Sequence, residues 1–217
     1  QKVPRYICSQ SPAITKIGAE PVVMIKLNDC LMLHRVLDGA IIASGKDNYS
    51  DEKATPLRDE GMAYFYYLRA RYYGTHGYSG VHGHKVAAYK LPSSIKAAPV
   101  EMKPFMVTPQ IAGGHAGYIA GSLLLDTALY VIDISGYLAV YDVKEGKEIY
   151  HRYPDWHNRC SRTLYGVCAS PAFAGERIYF VNDVGETLLI KHAARYEETG
   201  RNVLENINRY DLSGNPC

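Results

Sequence analysis

The sequence predicts an all-β protein, and three observations carry that expectation. Short runs rich in Val, Ile, Leu and Tyr recur along the chain between residues that favour turns. Two of these runs copy one another. Leu129-Tyr130-Val131-Ile132-Asp133, then Ser135-Gly136, then residues 137–141, match residues 178–182, then Val184-Gly185, then residues 186–190. Tyr130 and Tyr179 stand 179 − 130 = 49 residues apart, as do Gly136 and Gly185, since 185 − 136 = 49. Helix signals are also scarce. A strand, a Gly-containing turn and a strand repeated at this spacing fit a four-stranded blade of about 40–50 residues. The expected fold is a β-propeller of four-stranded antiparallel blades. Its 217 residues hold four to five of them in one segment, 1–217, with an incomplete ring.

Each element follows from local chemistry. Ser11-Pro12-Ala13 opens the first run, residues 21–25, 30–33 and 37–42 follow, and Asn28-Asp29 and Asp38-Gly39 supply the turns. Thr55-Pro56 precedes residues 62–68 and then 86–89. Ser170-Pro171 opens the last copy, because proline suits the first residue of a strand, where its missing donor costs nothing. Residues 92–104 are punctuated by proline and read as a connection between blades. Residues 193–206 mix Tyr196, Val203 and Leu204 with Arg195, Glu197, Glu198 and Arg201, and read as a short helix or an excursion between blades.

Composition narrows the function classes. Lys and Arg number 24 against 22 Asp and Glu, and the net charge of +2 gives no reason to expect nucleic acid or an anionic membrane. The most apolar run, residues 116–125, is too short to cross about 30 Å of hydrocarbon. The chain begins without Met, and the expectation is a processed form or a piece of a longer polypeptide. The five cysteines contain no C-x-x-C pair, which argues against zinc. Cys160 and Cys168 flank a short polar loop and could pair in an oxidising compartment, with two separate thiols as the alternative. Asn48-Tyr49-Ser50 is a glycosylation sequon.

Three clusters invite a chemical reading. His82 and His84 would share one face of a strand, and His76 or His115 could add a third metal ligand; a glycine-rich loop that binds nothing explains them better. The tyrosines of residues 64–78, with Arg69 and Arg71, could stack sugars or bases, although packing between blades accounts for them more simply. Gly113-Gly114-His115 lacks the Lys-Ser/Thr of a phosphate-binding loop, and no Gly-x-Ser-x-Gly elbow is present. No catalytic residue emerges.

Residues 140–150, Val-Tyr-Asp-Val-Lys-Glu-Gly-Lys-Glu-Ile-Tyr, resemble the docking motif of pyrroloquinoline-quinone-type (PQQ-like) propellers, Ala-x-Asp-x-x-Thr-Gly-x-x-x-Trp. Asp142 and Gly146 are retained, while Val140, Glu145 and Tyr150 replace Ala, Thr and Trp. The resemblance spans most of the chain and is densest over residues 117–205. It implies a structural role for Asp142, Gly146 and Tyr150, beside the Gly136 and Gly185 of the repeat. It also implies a secreted or periplasmic protein that acts as a non-catalytic scaffold or binding propeller, with other protein chains completing the ring. No cofactor is expected on that reading. The alternatives are a fragment of a PQQ-dependent dehydrogenase, which would need PQQ and calcium, and a carbohydrate-binding propeller. The catalytic branch carries adjacent cysteines and a Trp beneath the quinone; here no two cysteines are adjacent, and Trp156 lies between the repeats.

Overall fold

A computed structural model describes residues 12–27, 30–46, 57–59, 62–69, 83–107, 111–112, 119–133, 136–156, 169–182 and 185–204. Every regular element among them is a strand. In order they are β1 (Ala13–Ile17), β2 (Glu20–Leu27), β3 (Cys30–Arg35), β4 (Ile41–Lys46), β5 (Leu57–Asp59), β6 (Met62–Arg69), β7 (Gly83–Lys90), β8 (Val100–Met102) and β9 (Pro104–Val107). There follow β10 (Ile111–Ala112), β11 (Ile119–Leu125), β12 (Ala128–Asp133), β13 (Leu138–Asp142), β14 (Lys147–Arg152), β15 (Ala172–Ala174), β16 (Arg177–Val181), β17 (Glu186–Lys191) and β18 (Glu198–Val203). The expected all-β architecture is present.

The strands form four sheets. The first runs β1-β2-β3-β4, with β8 added parallel to β4. The second runs β5-β6-β7, and β9 and β10 share the far edge of β7. The third is β11-β12-β13-β14 and the fourth β15-β16-β17-β18, each antiparallel throughout. The chain divides into two compact units, Gln1–Ala112 with the first two sheets and Gly113–Cys217 with the other two.

One detail recurs in all four sheets. Between the third strand and the fourth the register slips, at Leu33/His34, Ala88/Tyr89, Val140/Tyr141 and Leu189/Ile190. A bulge of this kind bends its strand and increases the local twist. The hairpin turns repeat as well. Gly39 donates its N–H to the Arg35 carbonyl and Gly146 donates to the Asp142 carbonyl, both at 2.9 Å, with φ of +72° and +67°. Gly136 and Gly185, the pair matched in the sequence, both adopt positive φ, +86° and +74°. Glycine enters that region without the cost a Cβ would bring.

Each unit has its own core. In the first, Met24, Leu31 and Leu33 pack with Ala87, Tyr89, Leu91 and Met102. In the second, Tyr130, Ile132, Leu138 and Val140 of the third sheet meet Ile178, Phe180, Leu188 and Ile190 of the fourth, with Trp156 at the margin. Alternation along each strand sends these side chains to one face.

The segment 193–206, read from the sequence as a short helix or an excursion, contains no helix among its described residues. Residues 192–195 are bends and β18 begins at Glu198. β18 closes the fourth sheet against β17, so backbone donors and acceptors that a helix would pair locally are paired across the ladder.

Candidate functional site

The most elaborate cluster of polar and aromatic side chains among the described residues lies at the seam between the third and fourth sheets. It grows from the loop between β17 and β18. His192 leaves the end of β17 and reaches toward the β11–β12 hairpin. Its Nδ1 lies 2.7 Å from the Tyr130 hydroxyl, and its Nε2 lies 3.2 Å from Oδ2 of Asp126. An imidazole protonated on Nε2 alone accepts from the tyrosine and donates to the carboxylate, so both ring nitrogens are used. The Tyr130 and Phe173 rings meet the imidazole edge-on, with centroids 5.8 Å and 6.4 Å away.

A second cluster surrounds Arg201 on β18. Its Nη1 donates to Oε1 of Glu186 at 2.9 Å, and its Nη2 to Oε2 of Glu198, also at 2.9 Å. Its Nε donates to Oε1 of Glu198, and Nη1 to the Asp155 carbonyl as well. Glu186 is fully buried; its N–H donates to Oδ1 of Asn182 at 2.8 Å, and the Asn182 amide lies 3.3 Å from its Oε2. The hydrogen bonds to Glu198, followed by those to Glu186, hold the Arg201 guanidinium above its usual pKa. Arg201 thereby ties the segment leading to Trp156 onto β18.

Aromatic rings occupy the space between the clusters. Tyr150 and Tyr196 meet edge to face at 6.5 Å, Arg152 sits 5.8 Å over the Tyr196 ring, and the Tyr196 hydroxyl donates to Glu198 at 3.0 Å. Burial raises Tyr130, Tyr150 and Tyr141 above the ordinary tyrosine value. Burial, followed by the bond to Glu198, pushes Tyr196 up to about 12. These phenols stay protonated at neutral pH and offer no phenolate to serve as base or nucleophile.

Asp142 and Gly146 close the β13–β14 hairpin. Oδ1 of Asp142 accepts the N–H of Lys144 at 2.8 Å and of Glu145 at 2.9 Å, and its Oδ2 accepts from the Thr127 hydroxyl at 3.3 Å. Tyr150 reaches across to the fourth sheet through Tyr196. Gly136 lies against Trp156; a Cβ there would stand 2.8 Å from Cδ1 of the indole, and nearer still to its Nε1. Gly185 donates to Asn182 and accepts from the Leu204 N–H at 3.1 Å.

His82, His115, Cys160 and Cys168 lie outside the described residues, as does the sequon at 48–50. The backbone of His84 pairs with Leu68 and Ile111 in the second sheet; residues 64–69 of the tyrosine-rich run lie in β6, and the rest of that run lies outside the described residues. No group of three His, Cys, Asp or Glu residues among the described side chains is placed to hold a metal ion. No helix among the described residues is long and apolar enough to cross a membrane. The His192 and Arg201 clusters were missed in the sequence because their members stand far apart in it. Asp126 and His192 are 66 positions apart, and Arg201 and Asp155 are 46 apart.

Solved structures resemble the chain. The computationally designed Ika8 protein superposes with a TM-score of 0.55 at 8% identity, over 83% of this chain and 44% of that one. The WD40 domain of Toxoplasma gondii coronin does so with a TM-score of 0.55 at 10% identity, over 84% of this chain and 43% of the domain. The designed Ika4 protein matches with a TM-score of 0.55 at 9% identity, over 88% of this chain and 94% of its own. The fold is of the β-propeller type. The chain spans less than half the length of the Ika8 protein and of the coronin domain. No family model matches the sequence, and no curated protein matches it.

Proposed function

We propose that this chain is a non-catalytic, PQQ-like propeller segment that serves as a scaffold or binding element of a secreted or periplasmic system. The observation that carries the reading is how the seam spends its reactive groups. Tyr130 and Asp126 are engaged with His192, Arg201 is engaged with Glu186, Glu198 and the Asp155 carbonyl, and the tyrosines are held protonated. Groups committed to one another in this way join two sheets and leave little for a substrate. The Asp142–Gly146 turn and the reach of Tyr150 toward the next sheet support the PQQ-like assignment. Partners on this reading are other protein chains that supply further blades. A propeller presents loops and sheet faces on a rigid frame, which suits recognition of proteins.

The dehydrogenase alternative is tested by incubating the protein with PQQ and Ca²⁺ and following dye-linked oxidation of primary alcohols. The expected result is no turnover and no quinone absorbance after dialysis. Retained quinone with turnover would overturn the scaffold reading. Binding on a glycan array would replace it with the carbohydrate-binding one.

A further inference from the structure

The bond between Tyr130 and His192 has the parts needed to move an electron and a proton together. Tyr130 stands on β12 with no exposure, so its phenol has no water to take its proton. The acceptor it does have is Nδ1 of His192, at 2.7 Å. On the far side of the ring, the Asp126 carboxylate lies 3.2 Å from Nε2 and can only accept. It therefore keeps the ring hydrogen on Nε2 and the lone pair on Nδ1, facing the phenol. A phenol that loses an electron becomes a strong acid, and a base already bonded to it takes the proton without rearrangement.

The neighbouring phenols lack such a base. Tyr141 and Tyr150 bury their hydroxyls with no basic group in hydrogen-bond distance. Tyr196 donates to Glu198 at 3.0 Å, a carboxylate that also holds Arg201. A carboxylate is a weaker base than an imidazole, and the guanidinium weakens it further. Of these four phenols, Tyr130 is the one bonded to an imidazole.

The electron needs no direct contact, because it crosses packed side chains that a proton cannot. His192 is 29% exposed, and the Phe173 ring that meets it edge-on is 45% exposed. An oxidant at the surface is thus separated from the phenol by one side chain. Nothing has to bind in a pocket, so the mutual engagement of the seam groups is no obstacle to this chemistry.

We propose that Tyr130 is a redox-active tyrosine, with His192 as its proton acceptor, that gives one electron to an outer-sphere oxidant such as an oxidised metal complex at the protein surface. The phenol O–H bond breaks and its proton forms an N–H bond at Nδ1 of His192. The electron reduces the oxidant by one, and a neutral phenoxyl radical remains on Tyr130. The imidazolium keeps its Nε2–H bond to Asp126, now between opposite charges. Return of one electron to the phenoxyl draws the proton back from Nδ1 and restores the starting pair. A redox-active tyrosine sits equally well in a scaffold and in an enzyme, so its loss and the loss of the scaffold reading are separate results.

The test oxidises the full chain by a laser flash with tris(bipyridyl)ruthenium(II) and a sacrificial electron acceptor. Phenoxyl absorption follows the rate, and a sample frozen after the flash is read by electron paramagnetic resonance. The wild type should form a tyrosyl radical whose g-tensor carries the shift of a hydrogen bond to the phenoxyl oxygen, more slowly in deuterium oxide than in water. Tyr130→Phe should lose that signal with an unchanged far-UV circular dichroism spectrum. His192→Gln keeps a hydrogen-bond acceptor opposite the phenol but removes the base, and should slow radical formation about 100-fold. If that variant fails to fold, Tyr130→Phe and the isotope effect decide. A wild type without such a radical, a signal that survives in Tyr130→Phe, formation by folded His192→Gln at the wild-type rate, or equal rates in the two solvents would each overturn the assignment.

Discussion

Replacing Arg201 with methionine tests whether the seam of the second unit is held by a buried ion pair. The substitution keeps much of the aliphatic stem and removes the guanidinium. It deletes the bond to Glu186, the two bonds to Glu198 and the bond to the Asp155 carbonyl. The Glu198 contribution is modest, because that carboxylate is 32% exposed and water takes the place of the lost partner. Glu186 is different. Its side chain has no exposure, and without Arg201 its charge faces the Asn182 amide inside the protein. Removing one member of a buried pair costs about 3–5 kcal/mol, a large share of the about 5–15 kcal/mol that holds a domain folded. The double variant R201M/E186Q removes that buried charge as well and should recover about 2 kcal/mol of the loss through the coupling of neighbours. Urea titration reads both. The single tryptophan, Trp156, follows the residue whose carbonyl Arg201 binds and is 8% exposed, so its emission reports the seam directly. A single variant costing less than about 1 kcal/mol, with additive losses in the double, would refute the argument.

Two glycines separate conformational strain from crowding. Gly39→Ala faces open space at φ +72° and should cost only the left-handed penalty, about 1–2 kcal/mol. Gly136→Ala has φ +86° and drives a Cβ into the Trp156 indole, so it should cost about 1–3 kcal/mol more and shift the tryptophan emission, as denaturation curves of the two variants would show. Asp142→Ala removes the acceptor of two turn N–H groups and of the Thr127 hydroxyl, and a fall of about 1–2 kcal/mol in thermal unfolding is expected. The tyrosines set an alkaline limit. Their folded pKa values lie above the unfolded value of 10.0, so their stabilising effect is complete below pH 10 and is lost as pH rises toward the folded values, about 12 for Tyr196. Melting temperature should therefore fall from pH 10 upward, with phenolate absorbance lagging that of the urea-unfolded chain; coincident titrations would contradict it.

The fold was legible because its signals are local. Alternating apolar residues, Asp38-Gly39 and the pair Gly136 and Gly185 each specify their strand or turn within a few positions, and the 49-residue copy exposed the repeat. In the stretch after β17, read as a short helix or an excursion between blades, local signals decided less. Glu197, Glu198 and Arg201 have a helical composition, yet the free edge of β17 offered Glu198–Val203 a full ladder and tertiary pairing won. The Arg201 and His192 clusters could not be read at all. Glu186 looks like a polar residue opening a strand until the fold buries it and brings Arg201 from the neighbouring strand. The tyrosine excess was legible as packing material, and Tyr130, Tyr150 and Tyr196 serve that purpose at the seam.

The bulge that recurs beside each fourth strand has a bearing on how the protein survives at high concentration. In the second, third and fourth sheets that strand is outermost, in the form of β9, β14 and β18. A straight outer strand offers its unpaired N–H and C=O groups to any other extended chain and seeds amyloid-like growth, whereas a twisted, interrupted one is a poor template. β14 and β18 also expose Lys147, Glu148, His151, Arg152, Glu198 and Asn202, a polar border that discourages further pairing. Strand addition is thereby suppressed at these sheet edges. Ile14, Ile41 and Val181 keep apolar surface on the sheet faces instead, where the pairing of backbones does not reach.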